Sequence, residues 1–184
     1  YPLNNSHFGG GFIYGVSKNL VSLGLVVGLD YDDPTFDTHH AFQIYKKHPF
    51  VANILKNGKI IRYGAKTIPE GGFFSIPKLY HDNFMIVGDS ASFLSMPSLK
   101  GIHLSVATGM LAAKSAVEAM KKNDTSMKQL SLYEELFKQS PAYKELYAVR
   151  NFRQSFKNNL LLGMIRFGTQ FVTGGRGLSL SGKL

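Results

Sequence analysis

The chain has 184 residues and a formal net charge of +9, with 44% hydrophobic and 18% charged residues. This balance is that of a globular protein with a core of its own and excludes a disordered chain. The sequence contains no cysteine, which excludes disulfides, a thiol nucleophile and cysteine-bound zinc or iron–sulfur centres within these residues. The first residue is Tyr1 rather than Met, so we expect a piece of a longer protein.

The N-terminal part is predicted to be β-rich with helical insertions. Alternating apolar residues predict a β-hairpin over 11–31. Thr38 is a candidate cap for a helix that stops near His48. A second short helix is predicted over 50–55, and another strand over 59–65.

Three consecutive glycines, Gly9 to Gly11, stand between Phe8 and Phe12 at the start of the hairpin. Glycine leaves backbone N–H and C=O groups accessible to a flat partner. A quinone head group suits this arrangement because it has a ring to fit beside aromatics and two carbonyl oxygens that need donors. The alternative, which spacing alone favours, is a loop whose glycines only permit positive φ angles.

An apolar strand predicted over 84–88 ends in Gly88-Asp89, and Gly101 then opens a long helix predicted over 102–121. This order is typical of a flavin site. Asp89 could accept hydrogen bonds from ribityl hydroxyls, and the helix start aims free N–H groups at the electron-rich edge of the flavin ring. The alternative is that Asp89 caps a turn that Gly101 permits. No G-x-G-x-x-G dinucleotide fingerprint occurs in the chain.

Helices are predicted over 127–139, 142–150 and 156–172, and most of the net positive charge lies in this last part of the sequence. The third helix is amphipathic and too short to span a bilayer. It fits a helix lying in the membrane interface, with basic residues at the head groups; packing on the protein's own core is the alternative. The apolar face carries Leu160, Leu161, Met164, Ile165, Gly168, Phe171 and Val172.

The sequence predicts no catalytic side chain and no metal site. No serine–histidine–acid spacing resembles a nucleophile motif, and the histidines show no ligand spacing. Nucleic-acid binding is not predicted either, because the basic residues flank an apolar face instead of alternating with exposed aromatics.

Taken in order over about residues 1–174, these motifs resemble the electron transfer flavoprotein–ubiquinone oxidoreductase family. The stretch from Gly88-Asp89 to Gly101 is also similar to aromatic hydroxylases and geranylgeranyl reductases. The motifs that carry the resemblance include Phe8-Gly9-Gly10, Arg62-Tyr63-Gly64-Ala65, Glu70-Gly71-Gly72-Phe73, Lys100-Gly101 and Glu145-Leu146-Tyr147-Ala148-Val149-Arg150-Asn151.

The resemblance implies a mixed α/β (α+β) protein with the FAD-dependent glutathione-reductase-2, aromatic-hydroxylase-like fold. Residues 1–79 would be part of a β-rich ubiquinone-binding domain and 80–125 the C-terminal portion of an FAD-binding domain. Residues 126–184 would be helical, with a membrane-associated helix at about 156–173.

The resemblance also implies an oxidoreductase that passes electrons from reduced electron transfer flavoprotein through a 4Fe–4S cluster and FAD to ubiquinone. Such an enzyme is a peripheral, monotopic protein of the mitochondrial inner membrane or the bacterial cytoplasmic membrane. The cluster ligands and the dinucleotide motif would lie outside this chain, so we do not expect the chain alone to complete the electron path.

Site residues follow by matching position. The backbone of Gly9 and Gly10 would hold the quinone head group. The FAD would contact Gly88 and Asp89, with the helix start at Gly101 and Ile102 beside its ring. The membrane would be contacted by Leu160, Leu161, Met164, Ile165 and Phe171.

Two residues depart from the family pattern. Ser92 stands where the family often has glycine, and Ser95 where some members have asparagine. Two other interpretations stay open: a flavin-dependent monooxygenase or geranylgeranyl-reductase-like enzyme, and a non-enzymatic basic domain that binds membrane surfaces.

Overall fold

The structure is a computed structural model that describes residues 1–4, 7–156 and 160–177. The chain divides into two compact units, Tyr1–Ala65 and Lys66–Leu184. The domain limits suggested by the sequence, 1–79, 80–125 and 126–184, remain a prediction.

The first unit is built on an antiparallel hairpin of β1 (Gly9–Ser17) and β2 (Leu20–Val27). The predicted hairpin is therefore confirmed, although it begins two residues earlier than expected and ends before Tyr31. The early start arises because the glycines themselves join the strand, with Gly9 opposite Val27.

Two helices follow the hairpin, α1 (Thr38–Lys46) and α2 (Pro49–Leu55). The cap of α1 is Asp37, whose carboxylate accepts hydrogen bonds from two amides of the first turn. The expectation that Thr38 caps this helix is wrong, because the carboxylate one residue earlier satisfies those donors. The side chain of His48 caps α2, which starts at a proline as helices often do.

The strand predicted over 59–65 is wrong. This stretch has no regular secondary structure, and its side chains, including Ile60, Ile61 and Tyr63, are exposed. Strand propensity takes effect only where a neighbouring strand offers its hydrogen bonds, and no strand in the described residues pairs with this stretch.

The described strands of the second unit form a small hairpin of β3 (Tyr80–His81) and β4 (Phe84–Met85). The strand predicted over 84–88 is thus only two residues long. The backbone is still extended at Val87, with φ −133° and ψ 161°, and then turns at Gly88, which has a φ of 61° and starts a 3-10 turn, Gly88–Ala91.

Helices make up most of the remaining described residues of this unit. The longest, α3, has its predicted bounds, whereas the helix predicted over 127–139 is divided at Ser131. The helix predicted over 156–172 begins at Leu160 in the described residues, since 157–159 lie outside them. The helices are α3 (Ile102–Lys121), α4 (Met127–Leu130), α5 (Leu132–Gln139), α6 (Pro141–Ala148), α7 (Phe152–Ser155) and α8 (Leu160–Val172).

The core of the second unit lies where α3, α5 and α6 meet the segment after Gly88. Phe93 and Tyr133 are fully buried there, and the Phe93 ring packs on Phe137 with 4.8 Å between centroids. The hydroxyl of Tyr133 donates to the Ile86 carbonyl oxygen at 3.2 Å, so this core holds the segment that leads into Gly88. Two small sheets among many helices confirm the predicted mixed α+β class.

Candidate functional site

The three glycines at the start of β1 differ in what surrounds them. A Cβ added at Gly9 would lie 2.2 Å from the Val26 carbonyl oxygen, and one added at Gly11 would lie 2.5 Å from the Tyr45 ring. At Gly10 nothing lies within 4 Å of the same position. Packing inside the unit therefore accounts for Gly9 and Gly11, whereas Gly10 faces open space.

The backbone groups of these glycines also point in different directions. The Gly28 amide donates to the Phe8 carbonyl oxygen at 2.7 Å. Hydrogen-bonded and non-hydrogen-bonded pairs alternate along an antiparallel ladder, so Gly10 exchanges hydrogen bonds with Val26 while the N–H and C=O of Gly9 point away from β2. Within the described residues the sheet consists of β1 and β2 alone, which leaves Gly9 at a strand edge beside the open Gly10.

A second candidate site lies at the 3-10 turn Gly88–Ala91. Gly88 has the left-handed φ of 61°, and its amide donates to the hydroxyl of Thr108 at 3.2 Å. A Cβ at Gly88 would lie 3.0 Å from the Ser105 hydroxyl oxygen. Both the backbone conformation and the close approach of α3 therefore favour glycine at this position.

The start of α3 faces the same turn. Gly101 is its cap and offers no side-chain hydrogen bond, and a Cβ at Gly101 would lie 3.0 Å from a carboxylate oxygen of Asp89. The first amides of an uncapped helix are free donors with partial positive charge. Ile102, the first helical residue, is 84% exposed. The turn and the helix start thus bring together Gly88, Asp89, Gly101 and Ile102, four residues that the sequence singled out.

Sequence reasoning missed a side-chain pair beside this helix start. The Nε2 atom of His103 lies 3.0 Å from both carboxylate oxygens of Glu145, which joins the first turn of α3 to α6. No local signal points to this pair, because its members stand 42 residues apart.

The two residues that depart from the family pattern are both buried. Ser92 has a left-handed backbone, with φ 61° and ψ 28°, which is the conformation that glycine adopts at least cost. Ser95 forms an isolated bridge with Lys100, and its amide donates to the Lys100 carbonyl oxygen at 3.0 Å. That bridge closes the loop between the turn and α3.

Helix α8 carries polar contacts on its inner side and apolar side chains on its outer side. Inward, the Gln170 amide donates to the Ser155 hydroxyl and to the Asn151 carbonyl oxygen, while Asn151 donates to the Gly175 carbonyl oxygen at 3.1 Å. We call this buried set, Asn151, Ser155 and Gln170, the polar clamp. Outward, the exposed apolar side chains include Leu161, Met164, Ile165, Phe171 and Val172.

The outer side of α8 includes four of the five residues expected to contact a membrane; the side chain of Leu160 lies outside the described part. None of the helices in the described ranges is long and apolar enough to cross a bilayer.

Residues 1–68 match a family described as the ubiquinone-binding part of ETF-QO. A Saccharomyces cerevisiae protein named as a probable mitochondrial electron transfer flavoprotein–ubiquinone oxidoreductase is 40% identical over 201 residues, covering 100% of this chain and 31% of that protein.

Two further relatives bear the same name without the word probable. The Dictyostelium discoideum protein is 41% identical over 177 residues, which cover 90% of this chain and 29% of the relative. The human protein is 41% identical over 161 residues, covering 84% of this chain and 26% of the relative. The chain thus spans less than a third of the length of each.

These relatives are named as oxidoreductases of electron transfer flavoprotein and ubiquinone, and as mitochondrial proteins. The chain is similar over its whole length to a protein with the name of the electron transfer flavoprotein–ubiquinone oxidoreductase family, which confirms the resemblance found in the sequence. The names do not favour the monooxygenase, prenyl-reductase or binding-domain alternatives.

Proposed function

We propose that this chain supplies the quinone-binding surface and part of the FAD site of a protein that transfers electrons from electron transfer flavoprotein to membrane ubiquinone. The observation that carries the proposal is Gly10, an open position with no internal packing role, inside the segment that matches a ubiquinone-binding family. The quinone head group would lie against Gly10 and take hydrogen bonds from the backbone at Gly9.

The residues around α3 fit FAD. A side chain at Gly88 would collide with Ser105, and one at Gly101 would collide with Asp89. The uncapped helix start offers free amides to an electron-rich ring edge. FAD, when bound, supplies the redox chemistry. The protein residues bind and orient it: Asp89 would accept hydrogen bonds from its polar chain, and the amides from Ile102 onward would face the ring. This assignment implies the glutathione-reductase-2, aromatic-hydroxylase-like fold for the complete domain.

The 4Fe–4S cluster that the family resemblance implies has no fit in this chain. The sequence contains no cysteine, and no three His, Asp or Glu side chains come together among the described residues. The cluster would be held by other parts of the complete protein, so we assign it no step here.

The outer side of α8 supports a peripheral attachment to a membrane, the mitochondrial inner membrane or a bacterial cytoplasmic membrane. Exposed apolar side chains on a helix held by inward polar contacts fit the interface between head groups and acyl chains. In the complete protein, Met164→Ser should weaken binding to anionic vesicles. Met120→Ser, which changes an exposed methionine at the end of α3, should leave vesicle binding unchanged; equal binding by both variants would contradict the assignment.

The experiment that tests the quinone assignment is Gly10→Val in the complete protein. The variant should lose most quinone reduction and keep normal flavin content, because the new side chain blocks the open position without touching the fold. Gly15→Val is the matched control, since Gly15 also lies on β1 with nothing within 4 Å of an added Cβ. Equal activity of the two variants would disprove the assignment.

A further inference from the structure

One face of the β1–β2 hairpin is exposed and carries no charged side chain. Side chains alternate between the faces of a strand, and directly paired residues share a face. On the opposite face, Tyr45 of α1 lies against Gly11. We call the exposed side the open face; the pairs on it are Gly10 with Val26, Phe12 with Gly24, and Tyr14 with Ser22.

Two aromatic rings stack on each other on the open face, near Gly10. The rings of Phe12 and Tyr14 stack with 5.8 Å between centroids and 26° between planes. They stay 42% and 57% exposed. A Cβ at Gly24 would lie 2.2 Å from the Phe12 ring, so this ring lies against the bare backbone of Gly24. The result is an aromatic platform that continues from the open position at Gly10.

The platform is aromatic and uncharged, and this determines which class of ligand it can bind. The sequence has 21 basic and 12 acidic residues, yet the open face carries none of them. Aromatic rings favour contact with other flat rings and with apolar groups, and no charge is available to pair with an anion or a cation. The matching ligand is a flat, uncharged ring with apolar substituents.

We propose that Phe12 and Tyr14 form the binding platform for the quinone ring, with Gly24 as the bare position that leaves room for the Phe12 ring. This inference rests on the proposed quinone site and adds the residues that set its selectivity. The ring would stack on the platform while its carbonyl oxygens reach the strand edge at Gly9. Phe12 and Tyr14 are therefore binding residues that govern affinity for the acceptor and not the rate of electron delivery.

The test uses the complete protein with ubiquinone-1 as acceptor. Phe12→Leu and Tyr14→Leu should each raise the KM for ubiquinone-1 by about 3- to 10-fold, the worth of one aromatic contact. Flavin content and kcat should stay within about twofold. Phe50→Leu is the matched control, since Phe50 is an exposed aromatic on α2 outside the open face; its KM should not change.

Two outcomes would overturn the inference. If Phe12→Leu and Phe50→Leu have the same KM as the wild type, the platform does not bind the quinone. If Phe12→Leu lowers the melting temperature and leaves the KM unchanged, another part of the protein covers the open face. A wild-type protein that cannot reduce ubiquinone-1 would instead disprove the proposed function itself.

Discussion

The two glycine-rich surfaces expose backbone in different ways. On β1 the partner strand takes up the backbone groups of every second residue, so a ligand meets one strand edge at Gly9 and one bare position at Gly10. At the start of α3, consecutive amides point the same way and carry partial positive charge. The first surface suits an uncharged ring, and the second suits a group on which negative charge grows. Glycine content alone does not distinguish them.

The largest expected effect separates Gly9 from its neighbour. Gly9→Ala should lower the free energy of unfolding of the complete protein by about 3 kcal/mol, because its Cβ meets a backbone carbonyl that cannot move freely. Gly10→Ala should change the same quantity by less than about 0.5 kcal/mol. Urea unfolding measures both. Equal losses of unfolding free energy would mean that an added Cβ costs the same at Gly9 as at Gly10.

The second surface is tested by Gly88→Ala. A side chain at a φ of 61° and 3.0 Å from Ser105 should cost about 1–2 kcal/mol of stability. Flavin content after purification should fall as well, since the turn that holds Asp89 shifts. The absorbance of bound flavin per protein measures this content. If it is unchanged, the turn is not part of the cofactor site.

The core beneath the second surface gives a pH dependence. Burial raises the pKa of Tyr133 to about 12, above the ordinary value near 10. The neutral phenol therefore stabilises the fold fully below pH 10, and this stabilisation is lost as the pH rises through about 12. Tyr133→Phe should abolish that fall in unfolding free energy. The substitution should also lower the free energy of unfolding at neutral pH by about 1 kcal/mol, because the hydrogen bond to Ile86 is lost. Chemical unfolding at several pH values measures both this loss and the fall at high pH.

The smallest effect concerns Ser92. Ser92→Gly should raise the free energy of unfolding by about 0.5–1 kcal/mol, because glycine adopts the left-handed backbone without strain. Thermal unfolding of the complete protein measures the change. If the variant is less stable, the contacts of the Ser92 side chain stabilise the fold by more than the left-handed backbone conformation destabilises it.

Sequence patterns predicted the elements whose signals are local. Helix α3 has the predicted bounds because small and apolar residues predominate between the glycine at its start and the lysines at its end. The hairpin followed from alternation. Residues 59–65 also looked like a strand, but nothing in the described residues pairs with them, and sequence alone cannot supply a partner.

For the candidate sites as well, the sequence predicted what depends on neighbouring residues and not what depends on contacts between distant ones. The order of Gly88, Asp89 and Gly101 indicated their closeness, since a turn and a helix start hold them within one short stretch. The different roles of Gly9 and Gly10 required the register of the hairpin. The His103–Glu145 pair and the polar clamp required the packing of helices far apart in the sequence.

The polar clamp has a practical consequence. Turning the apolar side of α8 inward would break the buried hydrogen bonds of Gln170 and Asn151, so the helix cannot hide that side by rolling over. In a preparation without detergent or lipid, the apolar side of α8 would therefore stay exposed to water and favour self-association. Purification yield should depend on the amphiphile chosen at the first extraction, and self-association in plain buffer should increase with concentration.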